Sequence, residues 1–160
     1  MEHITFLLRA VEVSKQAVLD GNHPFGSLLV DGEGTVVMEQ GNIEVTEADC
    51  TGHAETTLMR RASKQFDRDF LATCTLYTTA EPCVMCAGAM YWGNVLRLVY
   101  GITEKQLLAL TGDDPRNPTL SVDCRTVFNS GMKPIEVIGP VPEVAEAVLE
   151  PHRNYWTLQS

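Results

Sequence analysis

Two short motifs constrain this chain more than any other feature: His53-Ala54-Glu55 and, about thirty residues later, Pro82-Cys83-Val84-Met85-Cys86. Each stands where a loop gives way to a helical pattern, and Pro82 stops any helix from running through the second. Helix N-termini leave backbone N–H groups unpaired and carry partial positive charge, which favours thiolate at Cys83 and Cys86. A Cys-x-x-Cys at a helix start brings two sulfurs to one point, and a His from a neighbouring helix completes a three-ligand zinc set. The fold must therefore bring two helix starts, distant in sequence, against each other.

Three protein ligands are the pattern of catalytic zinc, because the open fourth corner takes a water whose pKa falls to about 7. Residues two apart on a helix do not share a face, so His53 reaches the metal while Glu55 projects toward that water and a substrate. A carboxylate so placed takes a proton from water and delivers protons to a ring nitrogen and a leaving amine. The competing reading is a closed structural zinc site or a redox Cys-x-x-Cys, with His53 an ordinary core residue. A closed site needs a fourth ligand, and Cys50, Cys74, Cys124, His23 and His152 include no second closely spaced pair.

Around the motifs, apolar runs and helical periodicities alternate. Ile4, Leu7, Leu8, Val11 and Val18 predict a helix over about 3–20. Ser27–Val30 and Thr35–Met38 flank Asp31-Gly32-Glu33-Gly34, a hairpin signal. Helices are expected at 53–65, from Cys83, at 104–110 and at 144–149, and buried strands at 75–79, 95–100 and 135–138. This order predicts an α/β fold, a three-layer α/β/α sandwich around a mixed, roughly five-stranded sheet, antiparallel at the hairpin and parallel where helices cross over. With 160 residues, 44% hydrophobic, the chain has the size of a single domain over 1–160. The helix and tail at about 142–160 are candidates for the pocket or a dimer contact.

A net charge of -9 opposes a partner held through phosphates. The local basic group Arg60, Arg61, Lys64 and Arg68 reads as a solvated face balanced by Asp67 and Asp69. Charges at Glu2, Arg9, Glu12 and Lys15 interrupt what a signal peptide would need, and no stretch approaches a membrane span. A cytoplasmic protein with reduced cysteines and no membrane partner is the expectation.

The segments HAE and PCVMCAGAMYW, with LYTTAEP before the second and LRLVYG after it, resemble the cytidine deaminase superfamily. The likeness runs from the opening helix to about Asp114. It implies one Zn2+ per chain held by His53, Cys83 and Cys86, Glu55 as the proton carrier, and a homodimer. PCVMCAGAM is similar to bacterial tRNA adenosine deaminases. Pro24-Phe25-Gly26, Tyr91-Trp92 and Asp113-Asp114 look like bacterial guanine deaminases. On that second resemblance Asn42 binds the base, Phe25 packs on its face, the Ala54 N–H meets its carbonyl, Trp92 walls the pocket and Asp114 accepts from a guanine-like edge. A tail aromatic, Tyr155 or Trp156, would close the site of its own or a partner chain.

Each of these residues also has a plain reading. Asn42 follows Gly41 in a loop where Asn serves turns; Phe25 and Trp92 could be core aromatics; Asp113 and Asp114 precede Pro115 and could shape a turn. His23 reads as a loop residue, and His152 has no motif partner. The expected function is hydrolytic deamination of a free nucleobase or close relative, guanine first. The runner-up, a tRNA adenosine deaminase, predicts a basic carboxyl end, yet Glu143, Glu146 and Glu150 make this one acidic. A nucleoside, pterin or triazine deaminase, and a zinc-stabilised interaction module, are the remaining alternatives.

Overall fold

The computed structural model describes residues 2–112 and 114–158, with side chains to Trp156; Asp113 lies outside the described residues. In chain order the elements are α1 (Glu2–Leu19), β1 (Gly26–Val30), β2 (Val36–Gly41), α2 (Ala54–Gln65), α3 (Arg68–Ala72), β3 (Thr75–Ala80), α4 (Val84–Trp92), β4 (Arg97–Ile102), α5 (Glu104–Thr111), α6 (Cys124–Asn129), β5 (Glu136–Ile138), α7 (Ala145–Leu149) and α8 (Tyr155–Leu158). The strands form one mixed sheet in the order β2-β1-β3-β4-β5. β1 runs antiparallel to both β2 and β3, whereas β3, β4 and β5 are parallel.

Alternation along the strands builds the two outer layers. Leu28, Tyr77 and Val99 are neighbours across the ladder and face α1, α5 and α7, where Leu7, Val11, Leu107 and Val148 meet them. Leu29, Leu76 and Leu98 point the other way, onto Leu58, Ala62, Ala87, Met90 and Phe128 of α2, α4 and α6. With helices on both faces, β1 and β3 are buried along their whole length, threonines included. At Gly26 a Cβ would run into the Ala10 carbonyl oxygen, so the glycine sets how closely α1 lies on β1. The predicted α/β/α architecture is what forms.

Three short helices escape the sequence pattern. α3, α6 and α8 have five, six and four residues, too few for a helical period to register, whereas the equally short α7 is prolonged by a helical turn on each side. α3 owes its start to Asp67, which accepts the Phe70 N–H at 2.8 Å. The strand expected from Val95 begins only at Arg97, because the Val95 N–H bonds back to the Met90 carbonyl and closes α4. The basic group lies on the exposed side of α2 and beyond, with Arg60 donating to Thr51 and Arg61 to Gln40. No helix among the described residues is long and apolar enough to cross a membrane.

Candidate active site

His53 and Cys83 are the N-cap residues of α2 and α4, both with extended backbone (φ -64°, ψ 149° and φ -69°, ψ 176°). An N-cap side chain ordinarily turns back to accept from its own first turn. Neither does so here, which leaves both free to point across the gap between the helices. His53 Nδ1 lies 3.5 Å from Cys83 Sγ and 3.5 Å from Cys86 Sγ, and the three atoms fall within 4.8 Å of one another. A tetrahedral zinc with its usual bond lengths places nitrogen and sulfur ligands about 3.5–3.8 Å apart. Both nitrogen–sulfur distances match that spacing, and the donor set is one that zinc takes.

The surroundings prepare these ligands. Glu44 Oε1 stands 3.4 Å from His53 Nε2 and accepts from Asn42 Nδ2 at 2.7 Å, so a carboxylate orients the ring from behind. Thr56 Oγ1 donates to Cys86 Sγ at 3.1 Å. The hydrogen bond from Cys86 holds the Cys83 thiol well below its ordinary pKa, while Cys86 keeps the proton and is pushed up. The Cys83 hydrogen bond lifts His53 to about 9. A cation between the three would displace these protons. Burial pushes the Glu55 carboxyl up to about 7, the range a proton carrier needs near neutral pH.

His53, Cys83 and Glu55 open onto a cavity of about 340 Å³. Ala54 lines it from the first turn of α2, where N–H groups have no carbonyl partner within the helix. Phe25, Asn42 and Met85 form other walls, and Arg116, Asn117, Pro118 and Leu120 reach in from the loop between α5 and α6. A larger groove of about 510 Å³ runs between α1 and β2, shares only Asn42 with this cavity and has no zinc-ligand cluster.

Asn42, Phe25, Ala54 and Glu55 thus gather where sequence placed them, but three further expectations change. Trp92 does not wall this chain's cavity and is 76% exposed. α4 starts at the zinc ligands and carries Trp92 away, about 10 Å beyond Met85 at the helical rise. Asp114 presents no free carboxylate to the cavity: its oxygens take Arg116 Nε at 3.0 Å and Nη2 at 2.7 Å, and Arg116 lines the wall instead. Tyr155 and Trp156 stand behind the wall. Tyr155 meets His23 Nδ1 at 2.8 Å, and Trp156, buried at 3%, packs its ring 4.9 Å from His23 and 6.5 Å from Phe25. His152, for which no role was expected, is buried there beside Phe25.

Four charged wall residues were missed: Glu44, Glu81, Glu104 and Arg116. Glu81 accepts the Glu104 N–H at 3.1 Å and the Cys124 N–H at 3.0 Å, tying the starts of α5 and α6 to the end of β3. Burial raises Glu104 to about 7. Glu81 stands beside Pro82 and Glu44 two residues after Asn42, positions that a search around the motifs could have reached. Arg116 sits in an aperiodic loop and carried no signal.

Comparisons with known proteins agree with this geometry. The family model of the cytidine and deoxycytidylate deaminase zinc-binding region matches residues 1–102. A "Probable cytosine deaminase" of Schizosaccharomyces pombe is 39% identical over 96% of this chain and 91% of its own length. The guanine deaminase of Bacillus subtilis is 42% identical over 71% of this chain and 73% of its own. A tRNA-specific adenosine deaminase of Haemophilus influenzae is 37% identical over 59% and 55%. The solved guanine deaminase of Nitrosomonas europaea superposes with a TM-score of 0.76 over 95% of this chain and 83% of its own, and at 21% identity speaks for the fold. With a zinc-ready His53–Cys83–Cys86 cluster and buried Glu55 at the junction of α2 and α4, the chain belongs to the cytidine and deoxycytidylate deaminase family and is a zinc-dependent hydrolase of C–N bonds.

Proposed function

We propose that this deaminase acts on a free nucleobase, with guanine placed first. The observation that carries the reading is the cavity: at about 340 Å³ it lies near the small end of ligand sites, and Glu44, Glu55, Glu81 and Glu104 stand on its walls. Together they make the wall acidic, which opposes a phosphodiester chain and favours an aminated ring. Zinc, when bound, supplies a water of lowered pKa. Glu55 takes a proton from that water and returns protons to a ring nitrogen and to the departing amine. The Ala54 N–H and the Asn42 side chain orient the ring, and Phe25 covers its face. Water adds at the amino-bearing carbon, the C–N bond breaks, and an oxo ring and ammonia leave.

Cytosine is the second reading, favoured by the relative that matches nearly the whole chain. The bond between Asp114 and Arg116 removes one ground for preferring guanine over it. An ammonia-release screen over guanine, adenine, cytosine, their nucleosides, pterins and triazines, run beside a tRNA substrate, tests the reading. Release from tRNA with none from free bases would overturn it. The same reading includes one domain, a homodimer and cytoplasmic action; sedimentation analysis returning a monomer would remove the dimer.

A further inference from the structure

We propose that Arg116 reads the carbonyl group of the substrate ring, donating from Nη1 to an oxo group that flanks the same ring nitrogen as the amino-bearing carbon. The inference rests on the deaminase reading above and narrows its substrate class.

Arg116 is the only Arg or Lys lining the cavity among the described residues. Its guanidinium is held from two sides. Nε and Nη2 take both carboxylate oxygens of Asp114, Nη2 also donates to the Trp156 carbonyl, and the guanidinium carbon lies 5.5 Å from the centre of the Trp156 ring. Among the described residues, these bonds use Nε and Nη2 and leave Nη1, with two N–H groups, outside the set. The side chain is 28% exposed, so the group is partly desolvated and fixed in place before any ligand arrives.

Two properties follow for the ligand. A guanidinium donates and never accepts, so it selects an acceptor atom. Asp114 already balances its charge, so what remains to offer is hydrogen bonding to a neutral oxygen more than attraction for a phosphate. The rest of the polar wall is largely carboxylate and selects donors. A ring with an amino group, a ring nitrogen and a carbonyl in sequence satisfies both halves. Guanine and cytosine share that arrangement, and adenine lacks the carbonyl.

The test compares ring pairs that differ by the oxo group and the ring N–H that accompanies it: guanine with 2-aminopurine, and cytosine with 4-aminopyrimidine. Arg116→Met should lower kcat/KM for the oxo member of a pair by on the order of tenfold to a hundredfold. It should change the other member by no more than about threefold, with zinc content unchanged. Arg116→Lys, which keeps a cation for Asp114 but not the fork, should recover part of the loss. The same ratios should appear as calorimetric Kd values in a Glu55→Gln background, where turnover plays no part. Equal losses on both members of each pair, or no loss, would overturn the proposal and leave Arg116 a loop fastener. If zinc-loaded protein releases ammonia from none of the four rings, the free-base reading fails, and the Kd ratios still decide Arg116.

Discussion

The two walls of the cavity are built differently. The metal wall is made of residues at the first turns of α2 and α4, pressed between the sheet and each other, and its chemistry sits within two short motifs. The other wall is made of Phe25 and of Arg116, Asn117, Pro118 and Leu120 from the loop before α6, backed by an aromatic cluster of His23, His152 and Trp156 from chain ends far apart in sequence. The first wall fixes which bond is broken. The second is where the proposed choice of ring would lie, and its geometry comes from contacts among side chains with no periodic signature.

The sharpest way to break this division is at the metal wall. Cys83→Ser should take zinc from about one per chain to near none and abolish turnover, as metal analysis beside ammonia release would show; full activity without metal would end the assignment. Glu55→Gln should retain zinc and fold while kcat falls by on the order of a hundredfold or more. A near-normal rate would remove Glu55 from proton transfer.

On the other wall, Trp156→Ala should cost about 3–5 kcal/mol of stability, read by thermal unfolding, because a buried indole is lost. It should also raise KM by loosening Phe25 and Arg116, while zinc content stays constant. Loss of zinc in that variant would mean that the two walls are not separable. Glu44→Gln probes the seam between them: it should weaken zinc affinity by about tenfold to a hundredfold in a chelator competition.

At neutral pH the least visible effect is a pH dependence inside the aromatic cluster, which shows only on acidification. Burial drives His152 down to about 3 from an ordinary 6.5. Between those values the unfolded chain binds more protons than the folded one, so this contribution to stability is complete above 6.5 and is lost as pH falls toward 3. His152→Phe should flatten that part of the Tm profile, and an unchanged slope would show that His152 does not titrate as described.

The contrast also explains what the sequence made legible. His53, Glu55, Cys83 and Cys86 could be read because a helix start converts sequence spacing into direction, and Leu28, Leu76, Leu98 and their neighbours because a strand alternates its faces. Trp92 misled because sequence closeness to the zinc ligands is not spatial closeness along a helix that leaves the site. Asp114 misled because a carboxylate's partner, here two residues away in Arg116, depends on how an irregular loop turns. α3, α6 and α8 were invisible for want of length.

One contact bears on how such a molecule could be altered. Glu81 pins the backbone at Glu104 and at Cys124, twenty residues apart, to a single carboxylate beside the zinc ligands. The segment between them is thus a closed cassette whose ends are set by a group outside it. Its closure costs grow only with the logarithm of its length. New sequence spliced between the end of α5 and the start of α6, with Leu107 left packed on the sheet, should therefore present a different surface to the incoming ring while the bond-breaking machinery keeps its place.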